Sequence, residues 1–230
     1  MNIVKLSTGS EQEAAVKLDT QVIAQAALNL LDDVGLDGLT MRKVAAALDV
    51  QAPALYWHVK NKRELLDAMA RTVFVAAVDG LEAPRRGEDW QDWTIQLAAR
   101  LRRSMLRYRD GAKVLAGTYV NDEAMWRTVE LTLRTLADAG FAMVQSVRVF
   151  PILLHYTIGF VIEEQARAGA EYDDNPYRPE RLENLIDATR YPLTTALVGE
   201  LFTADPDAEF VHGLHVILAG VVATRPAEAT

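Results

Sequence analysis

The chain has 230 residues, with 24 Lys and Arg against 32 Asp and Glu for a formal charge of −8; half its residues are hydrophobic and none is cysteine. That length exceeds a single three-helix unit and can bury a second core, while the missing cysteines exclude disulfides, thiol catalysis and cysteine metal sites. No apolar run approaches the roughly 20 residues of a membrane span, and Met1–Lys17 lacks the apolar segment of a secretory signal, so a cytoplasmic, two-part protein with no membrane partner is expected.

Met1–Lys17 reads as a flexible N-terminal arm. Asp19 or Thr20 then caps a helix whose apolar positions Val22, Ala26, Leu30 and Val34 recur at helical spacing, closed by Gly35 and Gly38. Thr40 caps a short helix with Val44, Ala45 and Leu48 on one face. Asp49-Val50 turns the chain, and Pro53 suits the first turn of the next helix, where no intrahelical donor is needed. Asn61 and Glu64 form a capping box for a helix that carries Leu65, Leu66 and Met69 and runs to about Leu81, stopped by Glu82–Gly87. Further helices are expected over Asp89–Arg107, broken at Arg109-Asp-Gly111, over Asn121–Ala139, ended by Gly140, and over Val144–Ala168. Gly169–Pro179 reads as a flexible loop; helices follow Pro179 and Pro192, and a last apolar helix spans about Asp207–Ala223. No strands are expected.

Two short helices joined by a tight turn and followed at once by a third, with Tyr56, Trp57, His58, Lys60 and Lys62 clustered beside them, form a helix-turn-helix. Its second short helix is free to enter a major groove, which points to double-stranded DNA as partner; an ordinary three-helix unit is the alternative. The overall acidity is no obstacle. Residues 17–71 balance Lys17, Arg42, Lys43, Lys60, Lys62, Arg63 and Arg71 against Asp19, Asp32, Asp33, Asp37, Asp49, Glu64 and Asp67, so most of the negative charge lies in 72–230. A local basic surface on an acidic body implies few phosphate contacts and a moderate salt slope.

Residues 18–71 resemble the DNA-binding domain of the TetR family of one-component regulators. LYWHVKNKRELLDAM (Leu55–Met69) is similar to its tetracycline-repressor branch, and GEDWQDW (Gly87–Trp93) and RYRDGAKV (Arg107–Val114) extend the likeness, which weakens after Ala168. The resemblance implies an all-α fold: a helix-turn-helix domain at 18–71 and a larger ligand-binding and dimerisation domain at 72–230. It also implies DNA contacts from Thr40, Arg42, Lys43, Gln51, Ala52, Pro53, Ala54, Tyr56, Trp57, His58 and Lys62. Arg42 would reach a base edge, as arginine does with guanine. Tyr56, His58 and Lys62 would position the backbone, and Trp57 fits either a phosphate contact or packing between helices. The branch has a glutamine where this chain has Ala52 and a threonine where it has Ala54, so a different operator is expected.

The apolar stripes Val147, Phe150, Leu154, Ile158, Val161 and Phe210, Leu214, Ile217, Val221 fit core packing in part. A helix-turn-helix reads two half-sites roughly 34 Å apart, and in the family the corresponding helices pair, so a homodimer is expected. The family's magnesium-binding histidine is replaced by Leu115 in Ala112-Lys-Val-Leu115-Ala-Gly117. Val78, Leu97 and Thr132 stand where the branch has histidine, asparagine and glutamine, and Tyr119-Val120 replaces an Arg-Pro, while Thr118, His155 and Glu163 are kept. Each lost polar partner costs a tetracycline chelate on the order of 1–3 kcal/mol. The expected inducer is therefore a small, largely apolar molecule bound by Leu97, Leu101, Leu115, Val129, Val147 and Phe150 and oriented by Thr118, Thr132 or His155. Leu97, Leu101 and Leu115 fit plain core equally.

Trp90 and Trp93 read as core aromatics. His212 and His215 have helical spacing without a third ligand, and Glu163-Glu164 are adjacent and diverge, so neither metal nor cofactor is expected. No nucleophile elbow or phosphate loop suggests an enzyme. The resemblance implies that Tyr108–Lys113 faces the helix beginning at Asn61, so coupling is expected there through Arg63 and Asp110. The reading is a transcriptional repressor released from a palindromic operator by its ligand. Its alternatives are a DNA-binding regulator governed by no small ligand, or a helical carrier or enzyme with a vestigial DNA head.

Overall fold

A computed structural model describes residues 3–4, 16–168, 176, 178–203 and 205–224. The architecture is all-helical apart from one two-residue antiparallel pairing, β1 (Ile3–Val4) with β2 (Val16–Lys17). That pairing departs from the strand-free expectation, and it uses β-branched residues, which favour extended backbone. The rest of the expected N-terminal arm, and nearly all of the expected Gly169–Pro179 loop, lies outside the described residues.

Packing divides the chain into two units, Met1–Ala83 with Leu97–Thr132 and Pro84–Gln96 with Leu133–Thr230. The first holds α1 (Thr20–Asn29), α2 (Leu31–Gly38), α3 (Met41–Ala47), α4 (Ala52–Tyr56) and α5 (Lys62–Val78), the later part of α6 (Trp90–Leu106), α7 (Gly111–Leu115) and the earlier part of α8 (Glu123–Asp138). The expected boundary at residue 71 falls inside α5.

Asp19, not Thr20, caps α1, accepting from the Val22 amide at 2.9 Å. The buried face of α1 is Ile23, Ala24, Ala27 and Leu28, continued by Leu31, whereas the predicted line Val22, Ala26, Leu30, Val34 is only half-buried. The stretch is apolar on two adjacent faces, and packing against α5 selects between them. Gly35, at φ 61, breaks the helical path in α2 at a backbone angle that favours glycine. The core of this unit is Phe74, Met69, Leu65, Leu55, Leu48, Leu101 and their neighbours, all essentially inaccessible. Fully burying each such side chain contributes roughly 1.5–3 kcal/mol. Here α5 ends at Val78, earlier than the predicted Leu81, because Asp79 turns extended (φ −58, ψ 130).

The second unit holds α9 (Met143–Ser146), α10 (Val149–Arg167), α11 (Pro179–Leu185), α12 (Pro192–Thr203) and α13 (Pro206–Ala223), with the remaining parts of α6 and α8. Trp93 is buried and Trp90 meets Phe141 edge-on at 5.0 Å. Tyr156, Phe160 and Phe210 join α10 to α13, with ring centroids 5.1–5.9 Å apart. On α10 the buried residues are Val149, Phe150, Leu153, Thr157 and Val161; of the predicted stripe, Leu154 and Ile158 are half-buried and Val147 is exposed. The inward line runs through Ser146, Phe150, Leu153, Thr157 and Val161 at helical spacing, because Leu153 and Thr157 rather than Leu154 and Ile158 face the neighbouring helices. Met143–Arg167, 25 residues with a window of mean hydropathy 1.3, is long and apolar enough to cross a membrane, contrary to the composition-based expectation. Its inward side nonetheless packs on protein, as a core helix of a bundle does.

Candidate nucleic-acid interface and ligand-lining residues

The α3–α4 pair is held from behind. Thr40 accepts from the Lys43 amide at 3.3 Å to start α3, and Val44, Ala45 and Leu48 bury its inner face. Asp49 makes the turn in left-handed backbone (φ 50), and the Val50 amide returns to Ala45 O at 3.0 Å. Pro53 sits in the first turn of α4, while Leu55 and Val59 anchor it with at most 1% exposure. Asn61 caps α5 by accepting from the Glu64 amide. The reciprocal half of the predicted capping box is displaced, for the Glu64 carboxylate accepts from the Lys60 amide at 2.8 Å.

This backing leaves Arg42, Lys43, Gln51, Pro53, Tyr56, Trp57, His58 and Lys62 exposed and Ala52 and Ala54 half-buried. Trp57 is 88% exposed, so it packs between no helices of this chain. Two of the basic groups have internal acceptors: Lys43 Nζ donates to Gly38 O at 2.9 Å and Lys62 Nζ to Leu36 O at 3.3 Å. Side-chain pattern gave no sign of these anchors, because a backbone carbonyl is present at every position.

The Arg63–Asp110 contact expected from the sequence is not formed. Asp110, in left-handed backbone, accepts from the Leu36 amide at 2.8 Å and pairs with Lys113 at 2.9 Å. Arg63 instead donates to Gly117 O at 3.2 Å and pairs with Asp67 at 3.4 Å. Further along the same line of α5, the Tyr119 amide donates to Asp67 at 3.4 Å and Arg71 pairs with Asp122. Residues 63, 67 and 71, one turn apart, thus fasten the segment Gly117–Asp122 to α5.

Burial disfavours the charged form of Asp110, but the hydrogen bonds from Lys113 and the Leu36 amide, with the charges of Lys113 and Arg109, outweigh it and hold the carboxyl below its ordinary range. The Ala124 amide, then Arg71, do the same for Asp122. Depressed folded values mean that the stability from these groups is present above the ordinary aspartate value of 3.8 and is lost as pH falls through the folded values. Urea unfolding followed across the acid range should show a stability loss below that value, and substituting both residues with asparagine should flatten it; an unchanged slope would refute the assignment.

Of the predicted ligand contacts in the first unit, Leu97, Leu101, Leu115 and Thr132 are buried, and Thr118 and Val129 are half-buried. The Thr118 hydroxyl donates to Val114 O or Leu115 O, and Thr132 to Thr128 O at 2.8 Å. In the second unit Phe150 is buried, whereas Val147 and His155 are exposed. An apolar groove of about 590 Å³, lined by residues including Val144, Val149, Ile152, Ile217 and Val221, runs between α9–α10 and α13.

The chain matches the family model for bacterial regulatory proteins of the tetR family over residues 23–69 and the tetracycline repressor-like C-terminal domain over 83–225. The likeness therefore continues well beyond Ala168. It is 40% identical over 209 residues to the tetracycline repressor protein class A from transposon 1721 of Escherichia coli, covering 91% of this chain and 93% of that one. A possible TetR family transcriptional regulator from Streptomyces coelicolor A3(2) superposes with a TM-score of 0.79 at 35% identity, covering 90% of this chain and all of the other (100%). The Streptomyces coelicolor TetR family protein ActR, solved in complex with actinorhodin, gives 0.78 at 27% identity, with 93% and 99% covered. The chain belongs to the TetR family of bacterial regulatory proteins, with an N-terminal helix-turn-helix and a tetracycline repressor-like C-terminal domain.

Proposed function

We propose that the protein is a homodimeric transcriptional repressor that binds a palindromic double-stranded DNA operator and is released by a small, largely apolar ligand. One observation carries this reading: α3 and α4 are fixed by a buried inner face while Arg42, Gln51, Tyr56, Trp57 and His58 all stand in solvent. An exposed indole beside basic and hydrogen-bonding side chains suits a nucleic-acid groove. Residues 18–71 serve as the reading head and 72–230 as the controlling part, in the cytoplasm where the DNA lies. The exposed apolar side chains Val144 and Ile152, which line the α10–α13 groove, suit a second copy of the chain, which a two-half-site operator requires.

For the ligand, Leu97, Leu101 and Leu115 supply apolar contact and Thr118 or Thr132 orientation. With Leu115 in place of a metal-binding histidine, magnesium–tetracycline is not the inducer. The ActR complex with actinorhodin supports a small-molecule ligand in a relative. The route from ligand to DNA is the Gly117–Asp122 segment fastened along α5, replacing the Arg63–Asp110 route. A shift there tilts the helix that carries the head, and moving the balance from 1:99 to 99:1 needs about 5.5 kcal/mol of differential affinity.

The test is selection of binding sites from fragmented genomic DNA with purified protein. A palindromic site, released by an apolar compound and not by magnesium–tetracycline, is expected; no enrichment would refute DNA recognition. On that site Arg42→Ala should relax sequence preference, with a discrimination loss of about 1–3 kcal/mol at one base pair. Lys62→Ala should weaken all duplexes about equally and lower the salt slope by about one. The reverse pattern in titrations would overturn both roles.

A further inference from the structure

We infer that Gln51, the residue that leads into α4, sets operator sequence by reading an adenine through both halves of its carboxamide; the inference rests on the DNA-binding reading above. The hydrogen-bond pattern of the head singles it out. The Thr40 hydroxyl accepts from the Lys43 amide, and Lys43 and Lys62 each place one of their three donors on Gly38 O and Leu36 O, which tethers both ammonium groups beside α2 and leaves their other donors to backbone phosphates. Ala52, Pro53 and Ala54 have no side-chain donor or acceptor. Gln51 is exposed, immediately precedes α4 in extended backbone (φ −73, ψ 139) and makes no capping bond with its side chain. Base edges are read from the leading end of a recognition helix, and Tyr56 and His58 follow at or beyond the other end of this five-residue helix.

A carboxamide offers one acceptor and one donor side by side. In the major groove that pair matches the adenine N6 amino group and N7, where the oxygen accepts and the nitrogen donates. The methyl groups of Ala52 and Ala54 and the ring of Pro53 lie next in sequence, and their chemistry suits thymine methyl groups. Each half-site therefore carries an adenine facing Gln51, in an A·T-rich stretch under α4, separate from the guanine assigned to Arg42.

The experiment selects sites from a random duplex library with full-length wild type and with Gln51→Ala. Wild type should enrich a palindrome with one adenine position per half-site that becomes unconstrained in the variant, while the other positions persist. Placing 7-deazaadenine there removes the N7 acceptor. It should weaken wild type roughly tenfold in Kd and leave the variant unchanged. Equal weights at that position in both proteins, or no response of wild type to 7-deazaadenine, would overturn the inference while leaving DNA binding intact. No enrichment by wild type would defeat the DNA-binding reading and this inference with it. The variant should melt with wild type, since Gln51 supports no cap. Even if it does not, the wild-type response to 7-deazaadenine decides.

Discussion

Replacing Gly111 with alanine will destabilise the protein by about 2–3 kcal/mol, in the range of forced overpacking. Gly111 is the buried first residue of α7, and a Cβ there would overlap the carbonyl oxygen of Met105, with the Met105 carbonyl carbon close behind. The obstacle is backbone near the end of a buried helix, so it cannot swing aside as a long side chain does. The chain between Met105 and Gly111 must open, disturbing the Tyr108 amide bond to Met105 O and the Gly111 amide bond to Tyr108 O. Urea unfolding of the variant beside wild type reads the effect. Equal midpoints would mean that this turn yields without strain.

Asp110→Ala is expected to cost about 2–3 kcal/mol, as for hydrogen bonds to a charged group, and also to weaken DNA binding from outside the reading head. The carboxylate holds the Leu36 amide, the Leu36 carbonyl accepts from Lys62, and Gly38, two residues on, accepts from Lys43. Removing it frees the end of α2 on which both lysines are anchored. Alanine is also poor in the left-handed backbone of this position (φ 59), where aspartate and asparagine are tolerated. Asp110→Asn separates the contributions: it keeps an acceptor for Leu36 and the backbone preference while losing the charge facing Lys113. An intermediate loss of stability is expected for asparagine. If alanine melts with wild type and binds the operator equally well, the connection from Asp110 to the head is wrong.

Much of the head was legible because its signals are local. Thr40, Asn61 and Pro53 act within three residues of themselves, so caps and turn follow from residue type and spacing. The buried face of α1 was not legible, since Val22-Ile23-Ala24 and Ala26-Ala27-Leu28 offer two neighbouring apolar lines and only the partner helix decides between them. The Arg63–Asp110 pairing failed for another reason. Opposite charges suggested a bond, whereas each residue found an opposite charge within one turn of itself, Asp67 for Arg63 and Lys113 for Asp110, and a backbone group besides. In the second unit the helices were placed well by Gly140, Pro192 and the apolar runs, but the rotation of α10 was not legible, since the helix carries apolar residues on several sides and Leu153-Leu154 and Thr157-Ile158 offer neighbouring inward lines.

The three fastenings along α5 differ in kind. Arg63 ends on a neutral carbonyl and Asp67 on a neutral amide, while Arg71 and Asp122 are opposite full charges. Arg71 is more than half exposed, so dissolved ions weaken that pair most, over a screening distance of about 8 Å at physiological ionic strength. The segment therefore has an ion-sensitive end at Asp122 and a less sensitive end at Gly117. Raising ionic strength should make it peel from the Asp122 side first, giving the amides nearest Asp122 faster hydrogen exchange than those nearest Gly117.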